Sequence, residues 1–199
     1  MNQAKTDKMP EQNLRFACTA HHEAAHIAVA AAQGLKLRPE GFAMDILGEG
    51  LACYCKKPED SDLSRERIII ATFAGYKAQT RFCTQRGCLN PDAEREIFSC
   101  DWREARDLLS GLSSGYAPLD NIPAIQAALE ARSGQIVEEN WPVIEALAAE
   151  LMSKEWGPVK DLGSGGIWST QVIARYVDGV ESIRVLKRFG ISAMLAADC

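Results

Sequence analysis

Histidine is scarce in this chain and confined to one place. The 199 residues include three histidines, His21, His22 and His26, and none elsewhere. Any metal site with more than two or three histidine ligands is thereby excluded. Long apolar runs are also missing: nowhere do 18 uninterrupted apolar residues occur, and the N-terminal MNQAKTDKMPEQNLRFACTA has no apolar core of the length a signal peptide needs. A transmembrane span and an export signal are therefore not expected, and the expected location is cytoplasmic. There is no clustered Lys/Arg stripe, and the net charge is -5, which argues against nucleic acid or an anionic membrane as partner. No internal repeat is visible. The GSGG at 163–166 lacks the Lys and Ser/Thr of a phosphate-binding loop and reads as a linker.

Cysteine is present but not in a familiar pattern. The seven residues, Cys18, Cys53, Cys55, Cys83, Cys88, Cys100 and Cys199, are odd in number. Without an export signal they are expected as reduced thiols. A four-thiolate site from Cys53, Cys55, Cys83 and Cys88 is disfavoured because CxC and Cx4C depart from CxxC knuckle spacing.

With 47% hydrophobic and 25% charged residues, the chain is expected to form one soluble domain over 1–199, mainly α (α+β). Helical periodicity runs from about Glu11 to Gln33, with Gly34 placed to end it. Gly41 to Leu47 and Leu51 to Lys57 read as a small hairpin. A helix capped by Ser61 or Ser64 follows and ends before Thr84. Another begins near Asp101. A long helical stretch from about Ile122 to Trp156 is interrupted or kinked near Pro142, and a short helix is expected over Ser169 to Val177. The order of the 179–199 tail is not legible.

Residues 22 to 26 read His-Glu-Ala-Ala-His inside an alanine-rich helix. Four-residue spacing projects both imidazoles from one face, so both can reach one Zn2+, with Glu23 beside them near an open coordination position. The alternative is a charged, metal-free helix stripe. Against it, Ala24, Ala25, Ile27, Ala28, Val29 and Ala30 make the helix apolar nearly all round, and buried His and Glu need partners. His21 points about 100 degrees away from His22 and is better read as a surface or supporting residue. A third ligand must be a carboxylate, a cysteine or water. The later histidine of a metzincin is absent, since Val29 and Ala32 stand in the corresponding positions. Asp92, Glu94, Glu96, Asp101, Glu104 and Asp107 are all formal candidates, and local sequence does not choose among them.

The chain resembles the peptidase domain of the FtsH-type AAA+ zinc metalloproteases. That family's helix reads roughly T-A-x-H-E-A-G-H-A-I-V-A, against Thr19-Ala-His-His-Glu-Ala-Ala-His-Ile-Ala-Val-Ala30 here. Its L-G-G-R-A-A-E helix is similar to Phe73-Ala-Gly-Tyr-Lys-Ala-Gln79, and its S-x-D-L-x-x-A segment to Ser99-Cys-Asp-Trp-Arg-Glu-Ala105. A later I-x-x-N-W/R-x-x-I-E-A-L-A-x-x-L stretch is similar to 137–151, so the likeness covers about 15–178. The resemblance implies a helical, zincin-like peptidase fold with a small hairpin or sheet beside the HExxH helix. It places Asp101 with His22 and His26 on Zn2+, and Glu23 as the base that acts on water activated by zinc. Departures are Ala25 for the family's glycine and Gln79 for its glutamate, which removes a negative group near the site. The ATPase module and membrane segment of the family are not expected in 199 residues, so a separate unfoldase is a possible partner. The implied substrates are short or unfolded polypeptides, which the strand at 50–57 could pair if it lies at a sheet edge. The competing expectation is a non-catalytic relative that binds zinc and serves as an interaction or regulatory domain.

Overall fold

The structure is a computed structural model that describes residues 10–56, 61–88, 99–112, 121–159 and 172–196. It is mainly helical with a small antiparallel sheet, the expected α+β class. Two long helices form its centre. Helix α1 (Glu11–Ala32) buries thirteen residues, from Phe16 to Ala31, because its alanines leave little side chain to hold neighbours away. Gln33 closes it and Gly34 takes the left-handed conformation (φ 75°), which lets the Leu35 N–H return to the Ala30 carbonyl.

Helix α2 (Asp62–Arg86) packs along α1. Ser61 caps it in extended conformation, its hydroxyl accepting from the Ser64 N–H, a cap worth about 1 kcal/mol. The helix runs past Thr84, the expected limit, to Arg86, because the stop is Gly87 in left-handed conformation (φ 63°).

Strands β1 (Leu37–Asp45) and β2 (Gly50–Tyr54) form the expected hairpin, starting earlier than the glycines suggested. Its turn is held by Asp45, whose Oδ1 accepts from the Leu47 and Glu49 N–H groups. The sheet is larger than a hairpin. Strand β3 (Gly157–Val159) and strand β4 (Val172–Val177) complete the order β2-β1-β4-β3, with all pairings antiparallel. The helix expected over Ser169 to Val177 is thus wrong for 172–177, while its first three residues lie outside the described set. Val172, Ile173, Tyr176 and Val177 are β-formers, and pairing Phe42 with Val177 and Ala43 with Tyr176 decides their conformation. Gly41, at φ 60°, lets β1 pass against the Val177 carbonyl where a Cβ would overlap it.

The remaining helices frame this centre. Helix α3 (Ser99–Ser110) brings Asp101 in its first turn and buries Ala105 and Leu109. Helices α4 (Ile122–Glu139) and α5 (Trp141–Ser153) are the expected helical stretch, interrupted beside Pro142 and ending at Ser153. Pro142 sits in the first turn of α5, where its missing N–H costs nothing, and Asn140 carries the break. Within the tail, helix α6 (Gly179–Arg188) is capped by Asp178 accepting from the Glu181 N–H at 2.7 Å. Beyond it the Leu37 N–H of β1 donates to the Met194 carbonyl and the Leu37 carbonyl accepts from the Ala196 N–H, which ties 194–196 to the sheet. The GSGG at 163–166 lies outside the described residues. No helix among the described residues is long and apolar enough to cross a membrane.

Candidate metal centre

His22, Glu23 and His26 are buried on α1, at 8%, 7% and 5% exposure. A helix apolar all round would reject such groups unless each found a partner. The partners come from α2. The Nδ1–H of His26 donates to the Ala71 carbonyl at 2.8 Å, and the Nδ1–H of His22 donates to Oε1 of Gln79 at 3.0 Å. Each acceptor holds the Nδ1–H, so the opposite Nε2 atoms face the same point and are the nitrogens a metal would take in exchange for any proton there.

Asp101 meets them there. Its Oδ2 lies 3.0 Å from Nε2 of His22 and 3.4 Å from Nε2 of His26. That oxygen is buried, yet it makes no aligned hydrogen bond. A tetrahedral ion with bonds of about 2.0–2.2 Å sets its ligands about 3.3–3.6 Å apart, close to the spacing of these atoms. A buried oxygen without an aligned donor, two Nε2 atoms turned toward it and separations near those of a coordination sphere together fit a cation. His22, His26 and Asp101 therefore form a group able to hold a metal ion.

Two glycines make the room. A Cβ on Gly75 of α2 would fall 2.5 Å from both Nε2 atoms, so the missing side chain keeps open the space in front of the ligands. A Cβ on Gly50 of β2 would overlap Oε1 of Glu23, so the strand can lie against the carboxylate only as glycine. Glu23 Oε1 is 3.9 Å from Nε2 of His22, beside the ligand set without joining it.

The charges are strongly coupled. Burial alone would lower the His22 pKa, but the Asp101 and Glu23 carboxylates beside it raise it to about 9. Burial opposes ionisation of Asp101, yet the two imidazoles hold its carboxyl well below the usual range. Burial raises the Glu23 pKa, partly offset by the histidines. Nearby, Lys56 donates to Glu104 at 2.8 Å and lies 5.0 Å from the Tyr54 ring centre. Tyr54 in turn stacks near His26 and shares a hydrogen bond with the Thr72 hydroxyl, and burial pushes its phenol up to about 12.

Of the carboxylates that sequence left open, Asp101 is the one brought to the histidines. Glu104 is engaged by Lys56 and Asp107 is exposed, while Asp92, Glu94 and Glu96 lie outside the described residues. His21 stacks on Phe82 and Trp141, its Nδ1 donating to the Ala17 carbonyl, well placed as packing and absent from the ligand group. Gln79, read in sequence as the loss of a negative group, is the acceptor that orients His22. Gly75, Gly50, Tyr54 and Lys56 carried no local signal of their role, because each acts through the approach of a second element.

The cysteines regroup as well. Cys83 and Cys88 meet Cys18 rather than Cys53 and Cys55. Cys18, Cys53, Cys83 and Cys88 are thiols as expected, whereas Cys55 is disulfide-bonded.

Comparison with known protein families and with curated proteins finds no match to this chain.

Proposed function

We propose that this chain is a zinc-dependent peptidase acting on short or unfolded polypeptides, with His22, His26 and Asp101 as metal ligands and Glu23 as general base. One observation carries the reading: two imidazoles with their Nδ1 atoms already committed share a point with a buried carboxylate oxygen, and a second carboxylate stands beside that point without entering it. A purely structural site needs the ligands and has no use for Glu23.

Two nitrogens and one carboxylate oxygen suit zinc, and three protein ligands leave one position for chemistry. Bound Zn2+ would polarise a peptide carbonyl and lower the pKa of water. Glu23 then accepts a proton from the attacking water at its carboxylate and returns it to the leaving amine nitrogen. Burial raises its proton affinity, which suits that task. Gln79 and the Ala71 carbonyl hold the imidazoles in the ligating orientation throughout. Strand β2 lies at the edge of the sheet against Glu23, a position from which an extended peptide could pair with it in a sequence-tolerant way.

The test is metal analysis of the purified chain together with cleavage of an unfolded casein-like substrate by wild type and Glu23→Gln. At least one equivalent of zinc in both proteins, with turnover reduced about 10²–10⁴-fold in the variant, is the expected result. Absence of zinc overturns the site. Zinc with equal turnover overturns the mechanism, and zinc with no turnover in either leaves a metal-binding interaction domain.

A further inference from the structure

The contact between α1 and α2 continues beyond the metal centre. Cys18 lies one helical turn before His22, on the same face of α1, and Cys83 lies one turn beyond Gln79 on the same face of α2. Their sulfurs are 3.3 Å apart. Cys88 is folded back onto this pair by the end of α2. Gly87, in left-handed conformation, lets the Cys88 N–H bond the Cys83 carbonyl at 3.0 Å, and the Cys88 thiol donates to the same carbonyl at 3.5 Å. The three Sγ atoms all lie within 4.8 Å of one another, and among the described residues no fourth His, Cys, Asp or Glu joins them.

We propose that Cys18, Cys83 and Cys88 form a second metal site, for a thiophilic ion such as Zn2+ or Cu+. A disulfide would use two of the three sulfurs and would not account for the third. An ion with metal–sulfur bonds of about 2.3 Å sets its ligands about 3.8 Å apart in tetrahedral geometry, a small opening from the 3.3 Å Cys18–Cys83 contact and inside the 4.8 Å that bounds all three sulfurs. Soft thiolates select zinc and copper(I) over magnesium or calcium. Three ligands are a complete set for trigonal Cu+, and leave Zn2+ one position for water or an external thiol. Binding displaces the thiol protons to solvent, so uptake is accompanied by acid release. The Cx4C spacing that looked wrong for a zinc knuckle is made workable by the left-handed glycine, which brings residue 88 over residue 83.

The sites share two helices but no ligand, so each can be tested with the other intact. The reduced full-length chain is titrated with Co2+ and watched for sulfur-to-cobalt charge transfer, which the His/Asp centre does not produce. A band that saturates at one equivalent, is displaced by Zn2+ or Cu+, and disappears in Cys88→Ser and in Cys18→Ala supports the site. Zn2+ should also protect Cys88 from alkylation. Cys88 lies past the end of α2, so Cys88→Ser, checked by circular dichroism, carries the test if Cys18→Ala does not fold. No band in the reduced wild type, a band unchanged in folded Cys88→Ser, or a Cys18–Cys83 disulfide formed without metal uptake overturns it.

Discussion

His22 and Gln79 are joined across the α1–α2 contact by a 3.0 Å hydrogen bond from imidazole Nδ1 to amide Oε1, and this bond decides which nitrogen of His22 faces Asp101. Gln79→Leu removes the acceptor while keeping much of the volume. Metal affinity, measured by competition with a chelating dye, should fall about 10–100-fold, and Gln79→Glu should restore it. Equal affinity in Gln79→Leu would show that the ring is held by packing alone.

Gly75→Ala separates helix stability from site function. Alanine favours a helix interior by about 1 kcal/mol, so on propensity alone the variant should be no less stable than wild type. Its methyl group, however, would sit 2.5 Å from both ligand nitrogens. Metal stoichiometry should drop well below one at the His/Asp centre, while the far-ultraviolet circular dichroism stays unchanged.

Gly50→Ala acts on the opposite side. The new methyl overlaps Oε1 of Glu23 and touches none of the three ligands among its nearest atoms. The expected outcome is retained metal with peptide turnover lowered, mostly in kcat. Loss of metal together with activity would show instead that β2 supports the ligand set.

Stability of the metal-free protein should depend on pH in a defined direction. The folded His22 pKa of about 9 lies above its ordinary 6.5, so the pairing with Asp101 contributes fully below about 6.5 and is lost as pH rises through about 9. Asp101 is depressed from 3.8, so its share is present above that value and is lost only at lower pH. Urea midpoints of the stripped protein should therefore fall between pH 6 and 8.5. The loaded protein, in which the metal replaces the His22 proton, should lack that slope.

Sequence carried the site unevenly, for physical reasons. The spacing of His22 and His26 is local, because helix geometry alone puts both rings on one face. Asp101 comes from another helix some 75 positions later, and six carboxylates were equal candidates until the resemblance singled out one. Gln79 looked like a deficit when judged by charge, since its use lies in the amide oxygen that the approach of α2 presents to His22. The six residues at 172–177 fit either periodicity, and only their pairing with β1 makes them strand. The Cys83–Cys88 spacing gives no hint that a left-handed Gly87 folds Cys88 back beside Cys18 and Cys83.

The three residues of the candidate His/Asp centre are not equally anchored. His22 and His26 belong to the most deeply buried helix, whereas Asp101 opens a shorter one and keeps 19% of its side chain exposed, against 10% and 6% for the histidines. An ion entering or leaving must detach from one ligand first, and the carboxylate is the one whose release leaves the core packed. If the proposed metal is bound, its exchange kinetics are a property of α3: substitutions that loosen Ala105 or Leu109 should speed metal dissociation without altering the two imidazoles at all.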